Sequence, residues 1–117
     1  MYELDVIKKT ALAKQLGGPP VFHEGRLHAV HIDKDHMALD IMLLSQNNPL
    51  LNDDARVTLR LNNLQAFTLK TRRMVNSVFI IHDLDIRKEG EVLRLILEST
   101  QGDMNEIVFE SIELVER

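Results

Sequence analysis

A mainly β fold of the α+β kind is what this sequence predicts: one N-terminal helix packed on a curved antiparallel sheet or small sandwich of about seven sequential strands. Three observations lead there. Residues 56–62 alternate strictly, with Val57, Leu59 and Leu61 on one side and Arg56, Thr58 and Arg60 on the other. The apolar runs after residue 26 are separated by short polar turns of hairpin length. A single helical stripe at the start ends abruptly at Gly17-Gly18-Pro19-Pro20.

That stripe is Leu4, Ile7, Ala11 and Leu12, opposite Lys8, Lys9 and Gln15. Proline at positions 19 and 20 forbids further helix, because it lacks the N–H and clashes with the preceding turn. Residues 27–32 read as the first strand, with His28, Val30 and Ile32 on one face and Leu27, Ala29 and His31 on the other. A polar turn at residues 33–36 leads to residues 38–44, with Leu39, Ile41 and Leu43 inward, which makes a hairpin. The Asn- and Asp-rich stretch 45–54 is a loop. Residues 56–62 and 64–69 are the next strands, followed by a basic loop at 71–73. Residues 78–86 carry apolar residues on both faces at first, as a central strand would. Glu89-Gly90 and Gly102-Asp103 turn the chain into residues 91–98 and 105–115. In the last run the inward set changes phase, from Ile107 and Phe109 to Ile112 and Leu114, which predicts a β-bulge near Ser111. The expected core is Val57, Leu59, Leu61, Ile80, Leu93, Leu95, Leu97, Ile107 and Phe109.

Residues 1–117 fit one domain with one core. Cysteine is absent, so disulfides, thiolate nucleophiles and cysteine-ligated zinc are excluded. No run reaches the roughly 18 apolar residues of a membrane span, and the first fourteen residues lack the apolar centre of a signal peptide. A cytoplasmic protein is expected. The net charge of −4 is unevenly spread. Residues 56–74 hold five basic residues and no acid, whereas residues 83–116 hold ten acids against Arg87, Lys88 and Arg94. Such a balance disfavours nucleic acid as a partner and suits a basic protein.

Histidines 23, 28, 31 and 36 lie close together, with Asp33 and Asp35 among them. Imidazole and carboxylate can ligate a divalent ion, but a strand sends His28 and His31 to opposite faces. Neither an H-E-x-x-H helix nor the glycine and glutamate of a calcium loop is present. No metal site and no cofactor are expected. His82 alternates with Ile80 and Leu84 and is read as a core histidine. The serines lie in no nucleophile elbow, and no phosphate-binding glycine loop occurs. Catalysis is not expected.

One segment carries more information. Val21-Phe22-His23-Glu24-Gly25-Arg26-Leu27, followed by Ala29-Val30-His31-Ile32-Asp33-Lys34-Asp35, resembles the opening motif of the Immunity protein 50 family of bacterial polymorphic toxin systems. Residues 57–61 and 64–69 are similar to that family's third and fourth strands. Asn76-Ser77-Val78-Phe79 and Leu84-Asp85-Ile86 are similar to its loop and following strand. The family's Asp-Ala after the histidine is Glu24-Gly25 here, and its N-terminal tryptophan is missing.

The resemblance implies an immunity-type protein that occludes a cognate toxin, with Phe22, His23, Glu24 and Asn76 as motif residues. A basic nuclease is the kind of toxin the acidic third would suit. Glu106 and Glu110 on the last strand, with Asp83 and Asp85 on an earlier one, are the expected partner-binding carboxylates. A structural role for Phe22 and His23, as an anchor and a turn cap, is the alternative at that motif. The rival for the whole chain is a β-sheet domain that binds a small molecule or forms a homo-oligomer through a strand edge.

Overall fold

The computed structural model describes residues 21–48, 51, 53–69, 79–100 and 102–116. The expected helix and Asn76 lie outside the described residues. Eight strands follow one another: β1 Arg26–Asp33, β2 His36–Leu43, β3 Ala55–Asn62, β4 Ala66–Thr68, β5 Phe79–Glu89, β6 Val92–Ser99, β7 Met104–Phe109 and β8 Ser111–Glu116. A short 3-10 turn, Ser45–Asn47, lies between β2 and β3.

Hairpins dominate because the turn chemistry allows them. Asp33 faces His36 across the β1–β2 turn, where Lys34 takes φ 55°. Glu89 faces Val92 across the β5–β6 turn, where Gly90 supplies φ 65°. All pairings are antiparallel, and the strand order is β4-β7-β6-β5-β1-β2-β3-β8. The two ends of that order are joined through the chain itself. β3 pairs with β8 up to Asn62↔Ser111, and β4 pairs with β7 from Ala66↔Val108. Between them the Glu110 N–H donates to the Asn62 carbonyl at 2.9 Å, and the Gln65 N–H to the Val108 carbonyl at 2.8 Å. One bent ribbon, β3–β4, therefore runs beside another, β7–β8, and curls the sheet into a barrel-like closure.

The core lies inside this curl. Val57, Leu59, Leu61, Leu95, Leu97, Ile107 and Phe109 are 0–2% exposed, as the alternation requires, and Met37, Leu39, Ile41 and Leu43 join them from β2. Two expected core residues are corrected: Ile80 and Leu93 are only half-buried. Ile80 pairs with Arg26 at the barrel's mouth, and Leu93 lies beside the β5–β6 turn. The phase change in the last run is a break at Glu110. Inward residues are odd-numbered in β7 and even-numbered in β8, where Ile112 is 2% exposed.

The first strand also departs from simple alternation. A register shift between Leu27 and Ala29 leaves His28 as the extra residue. Leu27 pairs with Ile41, Val30 with Leu39 and Ile32 with Met37, so Leu27 shares a face with Val30 and Ile32 rather than with Ala29 and His31. A second shift between Ile81 and Asp83 corrects the reading of His82, which is exposed. No helix among the described residues is long and apolar enough to cross a membrane.

Candidate functional site

The motif residues Phe22, His23 and Glu24 form a hydrogen-bonded knuckle at the start of β1. Phe22 drops into the core at 5% exposure, a burial worth about 1.5–3 kcal/mol. The chain then reverses: the Gly25 N–H donates to the Phe22 carbonyl at 2.8 Å, and Glu24 takes φ 64°. The Glu24 N–H donates to the Ile81 carbonyl at 2.7 Å, and the Ile81 N–H to the Gly25 carbonyl at 2.8 Å, which stitches the knuckle to β5. Asn48, 3% exposed, clamps its base. Its Oδ1 accepts from the Val21 N–H at 2.8 Å, and its Nδ2 donates to the Val21 and Leu44 carbonyls.

His23 and Glu24 point outward from this frame. His23 Nδ1 lies 2.6 Å from the His82 carbonyl. A carbonyl only accepts, so the proton sits on Nδ1, and Nε2 faces Glu24 Oε1 at 3.7 Å. The His82 ring meets the His23 ring edge-on, with centroids 5.6 Å apart. Gln46 Nε2 donates to Glu24 Oε2 at 2.8 Å, and Asn47 Nδ2 to the His23 carbonyl at 3.0 Å. Phe22 thus acts as an anchor and His23 as a tie across two elements. Beside the knuckle opens a shallow cleft of about 550 Å³ whose walls include Glu24, Arg26, Ser45, Asp54 and Thr100, with Leu44 and Ile80 as its apolar part. Among the described residues no three metal-ligating side chains converge.

The expected partner-binding carboxylates fall mainly on one surface. The pairings Asp83↔Glu98, Asp85↔Ile96 and Ile96↔Glu106 place Asp83, Asp85, Glu98 and Glu106 on the outer face of β5, β6 and β7. Glu89 shares that face, and Glu110 lies at its corner. Among the described residues, Arg87 and Arg94 are the basic residues that share this face with the six carboxylates. Ile96 and Val108, half-buried, and Met104, 42% exposed, lie between the charges.

The carboxylates are not equivalent. Asp83 is exposed. Glu106 accepts from Arg94 Nη1 at 3.1 Å, while Arg94 Nε donates to Glu89 at 2.8 Å. Asp85 is the least open of them: it is only 9% exposed and accepts from Arg87 Nε at 2.8 Å. Burial works to raise its pKa, but hydrogen bonds and nearby positive charge, Arg87's among them, outweigh burial and hold it below 3.8. Glu110 is tied to the barrel corner, accepting from Asn63 Nδ2 at 3.0 Å and Gln65 Nε2 at 3.5 Å.

Sequence reasoning missed a polar cluster on the opposite outer face. Asp40, 2% exposed, accepts from the Thr58 hydroxyl at 2.7 Å and faces His31 Nε2 at 3.5 Å and an Arg56 nitrogen at 4.0 Å. The alternation of β2, with apolar residues at 37, 39, 41 and 43, marked Asp40 as outward but not as buried. No family model, curated protein or solved structure matches the chain.

Proposed function

We propose that this chain is an immunity-type binding protein that neutralises a cognate bacterial toxin by covering its active surface, with no reaction of its own. The observation that carries this reading is the outer face of β5–β7, where, among the described residues, six carboxylates gather against two guanidinium groups around Ile96, Met104 and Val108. Such a face draws in a basic partner through long-range attraction and offers apolar side chains to be desolvated on contact. The resemblance of the Phe22-His23-Glu24 segment to immunity proteins supports the same reading. The knuckle's hydrogen bonds keep that rim in one conformation, so little ordering cost accompanies docking. The partner best suited is a basic protein such as a nuclease, met in the cytosol.

The test is rescue by co-expression with the toxin encoded beside it, then association kinetics at two ionic strengths. Asp83→Lys combined with Glu106→Gln removes charge without crowding Arg94 or disturbing the corner held by Glu110. Association at low salt should slow by about 10-fold, and its salt dependence should flatten. Unfolding should shift by no more than about 1 kcal/mol. A double variant that associates at the wild-type rate would remove the acidic face from the reading.

A further inference from the structure

Opposite charges line the cleft beside the knuckle without neutralising one another. Arg26 reaches it from β1, where the strand is paired to Met42 of β2 on one side and to Ile80 of β5 on the other. Glu24 comes from the knuckle and Asp54 from the end of the 45–54 loop. Both acids are tethered to the turn after β2. Gln46 Nε2 donates to Glu24 Oε2 at 2.8 Å, and the Ser45 N–H donates to Asp54 Oδ1 at 2.9 Å. Neither acid pairs with the guanidinium, and among the described residues the Arg26 side chain has no hydrogen-bond or ion-pair partner. Asp54 Oδ2 likewise accepts no bond there. Glu24 Oε1 faces His23 Nε2, itself an acceptor in the neutral ring, at 3.7 Å. Leu44 and Ile80, half-buried, are the apolar part of the same walls.

We infer that this cleft binds a small amino acid that carries a second cationic group on an aliphatic side chain, as lysine and arginine do. Charge balance selects that class. Two carboxylates against one guanidinium leave the cleft with one negative charge in excess, which a ligand with two cationic groups and one carboxylate neutralises. A simple anion would meet Glu24 and Asp54, and a simple cation would meet Arg26 with nothing to offer it. The ligand's carboxylate takes the fork of Arg26, whose paired N–H donors match its two oxygens. Its cationic nitrogens take Glu24 Oε1 and Asp54 Oδ2, and its methylene stem lies against Leu44 and Ile80. The volume of about 550 Å³ falls among small-molecule sites, which run from roughly 300 to 1,000 Å³. None of the six carboxylates of the β5–β7 face lines this cleft, so the site stands or falls independently of toxin binding.

Amide chemical shifts of the full chain titrated with L-lysine test this. Two further probes divide the contacts: cadaverine lacks the carboxylate, and L-norleucine lacks the side-chain ammonium. With lysine, the amides of Arg26, Ser45 and Thr100 should shift and saturate in the millimolar range, as a shallow cleft allows. Cadaverine and norleucine should each bind about 10-fold more weakly, the loss expected for one charge-assisted contact. Arg26→Gln should weaken lysine by about 10-fold and leave cadaverine unchanged. Asp54→Asn keeps an oxygen for the Ser45 N–H and should weaken lysine and cadaverine alike. Both substitutions alter exposed side chains, so the urea midpoint should hold for each. Three results would overturn the inference: no saturable shift at these residues; cadaverine bound as tightly as lysine, which would reduce the cleft to general cation attraction; or a lysine affinity indifferent to Arg26→Gln.

Discussion

Gly25 has no room for a side chain. A Cβ there would lie 2.8 Å from the Phe22 carbonyl oxygen and 3.0 Å from that of Met42, and both are backbone atoms that cannot step aside cheaply. Gly25→Ala should therefore destabilise the fold by about 1–3 kcal/mol, seen as a lower urea midpoint. An unchanged midpoint would mean that the knuckle is looser than its hydrogen bonds suggest. At this scale sequence reading succeeds for alternation and misses the register shifts inside β1 and β5. Leu59 and Ile107 were legible as core because nothing interrupts the period of two. His82 was not, because the shift between Ile81 and Asp83 turns it out of phase, and no residue type there announces a bulge. The knuckle's hydrogen bonds were likewise invisible, because Asn48 and Ile81 reach it from distant parts of the chain.

Element boundaries were largely legible, because polar turns and glycines mark them, and the phase change near Ser111 located the last break to within a residue. Element strength is another matter. β2 is paired on both sides from Met37 to Met42, by β1 and β3. β1 meets β5 at only Arg26↔Ile80 and Leu27↔Phe79 among the described residues. β4 has three residues, all exposed. Amide exchange follows the cost of opening, so Leu39, Leu59 and Leu95 should exchange slowest and Ala66–Thr68 fastest. Protection in β4 equal to that in β3 would contradict this ranking.

For the whole molecule, strand order was the least legible feature, because closure depends on which distant strands meet. Val57 pairs with Glu116 and Asn62 with Ser111, so the chain must close a long loop before those contacts stabilise anything. Folding should therefore take milliseconds to seconds in stopped-flow refolding, as for other β proteins with distant pairings. Refolding within microseconds would indicate that closure costs less than the topology implies. The acidic face is a product of the same level. Asp83, Glu98 and Glu106 belong to three strands, and charge counting along the chain found the acids without finding their shared surface.

The single residue between β7 and β8 also bears on how this chain can vary in length. Glu110 is the whole interval between an odd-numbered and an even-numbered inward set. Losing it would leave Phe109 and Ile112 two residues apart, so the alternation would run on without a break and the corner between β7 and β8 would be lost; one added neighbour would also put the two in simple alternation. Variants two residues longer would keep the phase but stretch the corner that Asn62 and Glu110 close. Insertions and deletions should thus accumulate in the 45–54 loop and be purged at position 110. At that point the reading frame of the sheet, not the chemistry of any side chain, is what selection preserves.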